Sequence, residues 1–508
     1  MYNPTEKITK KLYDYQIRAM GQIFDKLDAV PNDFNLLFQL PTGGGKTVIF
    51  SEIARRFIKE TGKKVLILTH RVELCSQTSR MLMEFGVENK VINSDVKTIP
   101  DQENHTCFVA MVETLNNRIN QDGLVLKDVG LVIIDEAHYN SFTKLFKNFL
   151  DCNILGVTAT PLSSNITLPM NGFYGDLIVG ESIPNLVKDG YLAQATTYSY
   201  NVSLTSLRVG INGDYTVGSS EKLYSAIAMQ DKLLGAYQEQ CLGKKTLIFN
   251  NGINTSKHVY ETFVNAGYDI RHLDNTHTSK ERREILDWFK NKPDAILTSV
   301  SILTTGFDEP SVNAIILNRA TRSLTLYYQM IGRGSRILGN KKEFTIIDLG
   351  NNLARFGLWN TELDWNDIYK NPELHLDNIR TDSEIERHQI YKMPDELKKR
   401  FANSGEMKFD MDLAYSTALD KGERPKVAIE KCLEYHVTLC LENSTELEEA
   451  HELQAILIED IRFQLRRFSY CICKSTKNYL DWMETDYNEK MRRSINTEYR
   501  LIALKQMV

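Results

Sequence analysis

The segment Gln39-Leu-Pro-Thr-Gly-Gly-Gly-Lys-Thr47 decides how the rest of the chain reads. The apolar run Leu36-Leu-Phe38 leads into it, and a helix-like stretch from Val48 to Arg56 follows. Strand, glycine-rich turn and helix in that order are the setting in which such a turn cradles phosphate. Gly43, Gly44 and Gly45 let the backbone turn tightly and aim successive N–H groups at an anion, with Thr42 in the same nucleotide-binding set. The helix beyond adds the positive end of its dipole. Lys46 is expected to reach the β- and γ-phosphates of ATP, and the Thr47 hydroxyl to hold Mg²⁺. The motif lacks its usual first glycine, because Leu40 stands five residues before Gly45. A purely structural glycine turn is the alternative until the downstream residues are read.

At 508 residues the chain has room for roughly two to four domains with real cores. Hydrophobic residues at 42% and charged residues at 25% are ordinary globular values. A net charge of −5 excludes a polycation, so any nucleic acid must be held in a local groove. Eight cysteines without framework spacing suit a reducing cytosol. Met1-Tyr-Asn-Pro-Thr-Glu-Lys7 has no apolar core of a secretory signal, and no run is long enough to span a bilayer. A cytoplasmic protein without a membrane partner is expected.

Upstream of the loop, Leu12-Tyr-Asp-Tyr-Gln16 opens a helix-like stretch to Leu27. The Gln16 amide matches both the donor and the acceptor edge of adenine, and Tyr15 can cover the base. Alone, these residues read equally as an amphipathic helix. Short apolar runs then alternate with helical patterns at Val65–Thr69, Cys107–Val112, Gly130–Asp135 and Ile154–Thr158. That alternation signals parallel strands buried on both faces. Polar residues gather where the runs end, which is where open α/β sheets bind ligands. Asp135-Glu-Ala-His138 carries the chemistry: Asp135 is the expected Mg²⁺-side carboxylate and Glu136 the general base for water. His138, with Thr158 and Thr160, is expected to relay nucleotide state to a second domain.

From Asn171 to about Gly243 the pattern loosens into turns and connectors, apart from a helix over Ile183 to Lys188 ended by Gly190. A second series follows, with strands at Thr246–Phe249, Ala295–Thr298 and Val312–Leu317 and helices over Ser256–Val264 and Ser279–Lys290, the latter capped by Ser279. In Leu303-Thr-Thr-Gly-Phe-Asp308, Asp308 can accept from a ribose hydroxyl. Gln329-Met-Ile-Gly-Arg-Gly-Ser-Arg336 places Arg333 and Arg336 three apart, on one face of a helical turn. They read as arginine fingers, and Gln329 joins them in the catalytic set. A surface arginine pair is the alternative.

Gln16, the Gly-Gly-Gly-Lys-Thr loop, Thr69-His-Arg71, Asp-Glu-Ala-His and Thr-Ala-Thr-Pro161 resemble the ordered motifs of the DEAD/DEAH-box helicases of superfamily 2. The stretch from Leu303 to Arg336 is similar to that family's fifth and sixth motifs. The block from Gly190-Tyr-Leu through Ala314-Ile-Ile-Leu to Asp348-Leu-Gly-Asn-Asn352 resembles the RadD type of bacterial and phage helicase, over roughly residues 10–357. Tyr13 and Asp14 depart from the arginine and proline that often precede Tyr-Gln in this group. The resemblance implies nucleic-acid contacts at Thr69, His70, Arg71, Thr114 and Thr304. It also implies two tandem RecA-like parallel-sheet domains, residues 1–195 and 196–357, with ATP and Mg²⁺ between them. DNA is the expected substrate, in repair, recombination, phage replication or defence. An RNA helicase and an ATP-gated scaffold that never unwinds are the rivals.

Residues 358–508 lie beyond the resemblance. No glycine follows Gly422 and no proline follows Pro425, so a mainly helical C-terminal region is expected. Thr445 and Glu448 read as a capping box. Leu453, Ile456, Leu457, Ile461, Leu465 and Phe468 form an apolar stripe at helical spacing. A bundle packed on itself or on the motor is expected, with a protein-partner helix as the minority reading and a monomer as default. Cys432, Cys440, Cys471 and Cys473 lack paired spacing for zinc.

Overall fold

The computed structural model describes residues 11–506 apart from 95, 97, 98, 100, 166, 301, 302, 304–306, 340, 389–392, 406 and 473–476. Seven strands build the first sheet: β1 (Asn35–Gln39), β2 (Lys64–Thr69), β3 (Lys90–Ile92), β4 (Cys107–Met111), β5 (Val129–Asp135), β6 (Asn153–Thr158) and β7 (Asp176–Val179). Their order is β3-β4-β2-β5-β6-β1-β7, and every pairing is parallel. Every residue of β2 and β6 is buried, as expected for strands covered on both faces. Because β5, β6 and β1 are neighbours, the loops at their carboxyl ends open beside one another.

The second sheet holds β8 (Gln194–Ser199), β9 (Thr246–Asn250), β10 (Ile270–Leu273), β11 (Ile296–Ser299), β12 (Ala314–Asn318) and β13 (Glu343–Asp348). It is also wholly parallel, in the order β10-β11-β9-β12-β13-β8. The architecture is the expected pair of RecA-like sheets followed by helices.

The stretch from Asn171 to Gly243 is more regular than its sequence suggests. It contains β7, β8 and the helices Ile183–Lys188, Val217–Tyr224 and Ile227–Gln240. Among the described residues β8 pairs only with β13, and all six of its residues are exposed or half-buried, so Gln194-Ala-Thr-Thr-Tyr-Ser carries no apolar run. Two caps differ from expectation. Thr278, not Ser279, caps the helix Ser279–Asn291, and it forms a capping box with Glu281. Thr445 bonds Glu449 rather than Glu448, because the helix starts at Leu447.

The chain divides into two compact units, Met1–Arg380 and Thr381–Val508. The first contains both sheets. Trp359, buried, stacks edge-on against Phe344 with ring centres 5.7 Å apart. The second unit is helical and has its own core, in which Leu453, Leu457, Ile461, Leu465 and Phe468 are buried and Ile456 is partly buried. The stripe therefore serves the unit's own interior, on two helices, Leu447–Ile456 and Ile458–Cys471, rather than one. Among the described residues no helix is long and apolar enough to cross a membrane.

Candidate nucleotide site between the two sheets

The loop leaving β1 ends at Gly45, whose φ of +83° caps the helix Lys46–Thr61 in a conformation that L side chains resist. Tyr15 and Gln16, at the start of the helix Asp14–Ala29, support the loop from below. The Tyr15 hydroxyl donates to the Gly44 carbonyl at 2.8 Å, and Gln16 Oε1 accepts from Tyr13 N at 3.0 Å. Tyr15 is buried, whereas Tyr13 is exposed and packs on Tyr191 with ring centres 4.6 Å apart. Of these two rings Tyr13 is the exposed one, while Tyr15, expected to cover a base, is buried and holds the Gly44 carbonyl. Lys46 Nζ donates to the Leu40 carbonyl at 3.4 Å. Burial lowers the Lys46 pKa, against the pull of Glu136 and Asp135 and with help from Arg333 and Arg336. Thr47 is half-buried in the first helical turn.

Asp135 closes β5, and Glu136 follows with φ +55°, a left-handed conformation that a glutamate holds only under constraint. Asp135 Oδ1 accepts the Glu136 N–H at 3.0 Å, and Ala137 N donates to the Val157 carbonyl on β6. Burial, then the adjacent Glu136, raises the Asp135 pKa. Burial would also raise Glu136, but Lys46, His138 and Arg333 hold it below its ordinary value. Two buried oxygens here, Thr42 Oγ1 and Glu136 Oε2, have no hydrogen-bond partner among the described residues, although His138 Nδ1 stands 3.4 Å from Glu136 Oε2. Native interiors rarely leave such atoms orphaned.

The second sheet closes the site. The helix Leu324–Ile331 ends at Gly332, so Arg333 and Arg336 sit in the loop beyond it and not on the shared helical face expected from their spacing. That loop lies directly against the phosphate loop. A Cβ on Gly332 would fall 2.6 Å from Thr42 Cβ, and one on Gly43 would fall 3.0 Å from Ser335 Oγ. Arg333 is buried, donates to the Phe307 carbonyl at 2.6 Å and feels the charges of Glu136 and Asp135. Burial lowers its pKa to about 10. Arg336 pairs with Asp308, whose carboxylate is more than half exposed. The residue expected to meet a ribose therefore meets an arginine in this state.

A line of hydrogen bonds crosses between the sheets beside this loop. Gln329 Nε2 donates to His138 Nε2 at 3.3 Å, so His138 Nδ1–H donates to Thr158 Oγ1 at 3.0 Å. Thr158 in turn donates to the Thr160 carbonyl, and Thr160 Oγ1 donates to Thr325 Oγ1 at 2.9 Å. Burial lowers the His138 pKa to about 4, which keeps the ring neutral as this pattern requires. Thr325 was missed from sequence, although it lies four residues before Gln329 and hence on the same helical face. Against this relay opens a cavity of about 730 Å³ lined by Arg71, Tyr139, Ser163, Arg322 and Tyr369 among others.

The residues expected to touch nucleic acid are less uniform. Thr69 is buried and its hydroxyl donates to the Arg71 carbonyl. His70 packs at a tilt against Tyr139 with ring centres 4.2 Å apart, and Arg71 and Thr114 are half-buried. Thr304 lies outside the described residues. Nearby, Arg282 of the second half pairs with Glu73 of the first at 2.6 Å.

Comparison with known families agrees with this geometry. Residues 9–163 match the family described as "Type III restriction enzyme, res subunit", and residues 227–338 match "Helicase conserved C-terminal domain". The chain belongs to the superfamily 2 helicases. This helicase is 28% identical to a "51.5 kDa protein" of a Lactococcus phage, over 66% of this chain and 70% of that one. It is 29% identical to "Putative ATP-dependent helicase IRC3" of Saccharomyces cerevisiae, over 67% of this chain, and spans only 52% of that relative's length. In fold it is similar to "ATP-dependent Type ISP restriction-modification enzyme LlaBIII bound to DNA", with a TM-score of 0.52 at 15% identity, covering 90% of this chain and 41% of that one. The helicase sheets thus bring together Thr42, Gly43, Lys46, Asp135, Glu136, Arg333 and Arg336, with His138, Thr158, Thr160 and Gln329 alongside.

Proposed function

We propose that this protein is a DEAH-box motor that couples ATP hydrolysis to movement on, or unwinding of, DNA. The observation that carries this reading is the abutment of Gly332 and Ser335 on Thr42 and Gly43, which sets both arginines beside the phosphate loop. The orphaned Thr42 hydroxyl, the loop N–H groups and Lys46 fit a triphosphate, and the Glu136 carboxylate oxygen beside them fits an attacking water. Thr47 and Asp135 supply the hard oxygens that suit Mg²⁺, which when bound neutralises phosphate charge. Lys46 and the loop bind the phosphates, Glu136 accepts the proton of the attacking water, and Arg333 and Arg336 stabilise negative charge that develops during transfer.

Loss of the terminal phosphate would release the arginine loop, and the Gln329–His138 and Thr325–Thr160 bonds would transmit that release between the halves. Alternating grip on a strand across both sheets is translocation. The restriction-enzyme family match and the DNA-bound relative support DNA over RNA. The deciding experiment measures ATP turnover and strand displacement on single-stranded DNA, forked DNA and duplex RNA. Turnover stimulated by DNA supports the reading. Stimulation by RNA alone, or clamping without turnover, contradicts it.

A further inference from the structure

Lys341 lies just before β13, outside every motif considered so far. Its Nζ donates to the carbonyls of Gly334 at 2.7 Å, Arg336 at 2.8 Å and Pro310 at 2.9 Å. An ammonium has three N–H donors and no acceptor, so three carbonyl oxygens use all of it. Two of these carbonyls belong to the loop that bears Arg333 and Arg336. The third belongs to the segment after β11 in which Phe307 accepts from Arg333 and Asp308 pairs with Arg336. That loop has left its helix: turn bonds from Arg333 N to the Met330 carbonyl and from Gly334 N to the Ile331 carbonyl, and the Ala193 N–H on the Ser335 carbonyl, shape its start, and the Lys341 ammonium adds ties at Gly334 and Arg336.

We infer that Lys341 is a positioning residue for ATP hydrolysis: its ammonium ties the arginine-bearing loop to the segment 307–310 and so sets where the two guanidinium groups stand. This rests on the proposed ATP turnover. The charged groups facing it are Arg336, which repels the ammonium, and Glu309, which attracts it; Asp308 sits on Arg336, and the Phe344 ring lies 6.0 Å away. Burial, then Arg336, lowers its pKa to about 7. Neutral amine has one donor fewer, so the fastening is complete below that pKa and weakens as pH rises through it.

The test compares wild type with K341M, measuring kcat and KM for ATP at saturating single-stranded DNA, per nucleotide site. K341M should lower kcat roughly 10- to 100-fold, the scale of a small misplacement of a catalytic group, with KM within about threefold. Wild-type kcat/KM, which reports the nucleotide-free protein, should fall on the alkaline side of neutrality, and K341M should lack that limb. Unchanged kcat in a folded K341M, or an alkaline limb that survives the substitution, overturns the inference. If circular dichroism shows K341M unfolded, the wild-type profile decides, and a level kcat/KM up to about pH 9 overturns it. A wild type silent toward ATP overturns the functional reading and this inference together, whereas an active wild type with an indifferent K341M overturns the inference alone.

Discussion

Two buried ionisable clusters in this chain are built on opposite principles. In the helical unit, His436 is fully buried and both ring nitrogens are bonded, Nδ1 to the Tyr487 hydroxyl at 2.7 Å and Nε2 to Asp460 at 3.0 Å. Between the parallel sheets, Glu136 is held at a left-handed φ, an oxygen of its carboxylate is orphaned, and Lys46, Arg333 and Arg336 crowd nearby. A satisfied network specifies a fold. An unsatisfied, strained one is stable only because its surroundings hold it, and it leaves polar atoms free to meet a reactant. The same residue types therefore mean structure in one place and chemistry in the other.

Four experiments can break or sharpen this contrast. Arg333→Ala should leave ATP binding nearly intact while turnover falls roughly 10³- to 10⁵-fold, read by nucleotide titration beside steady-state kinetics. Equal losses in binding and turnover would make Arg333 a binding residue only. Glu136→Gln should still bind ATP, with turnover reduced roughly 10²- to 10⁴-fold; near-normal turnover would remove Glu136 as the base. His436→Leu should lower the stability of the helical unit by about 1–3 kcal/mol, because Asp460 and Tyr487 lose a buried partner, without changing turnover per folded molecule at 25 °C. A collapse of turnover in folded protein would put His436 on the chemical side of the comparison.

The smallest effect concerns His138. Its folded pKa, about 4, lies below the roughly 6.5 of an unfolded histidine, so its neutral form contributes stability above pH 6.5 that is lost as pH falls toward 4. From pH 7 to pH 6 the loss should be below about 1 kcal/mol, seen as a small drop in Tm. His138→Asn, which cannot be protonated there, should flatten that dependence.

The buried strands of the first sheet were legible because both faces are covered, so β1, β2, β4, β5 and β6 appear as apolar runs. Edge and short strands were not. The strand β8 exposes too much to need apolar residues, and β3 and β7 are only three and four residues long. Phosphate-loop and carboxylate residues could be named from spacing because local backbone geometry fixes them. Arg333 and Arg336 could be named too, but not their placement, since Gly332 ends the helix that spacing alone would continue. Tyr13 and Lys341 depend on distant partners, Tyr191 and Pro310, which no local pattern encodes, and Thr325 had only its i, i+4 spacing to Gln329 to mark it.

In this structure the arginines hold protein oxygens, Arg333 on the Phe307 carbonyl and Arg336 on Asp308. The account requires that at least one of them exchange that partner for the terminal phosphate during hydrolysis. A crystal structure with Mg²⁺ and an ADP–aluminium fluoride complex observes the exchange directly. The expected result is a guanidinium of Arg333 or Arg336 within hydrogen-bond distance of the fluoride group, opposite Lys46. Both arginines still on Phe307 and Asp308, with the fluoride group met by the first sheet alone, would contradict it.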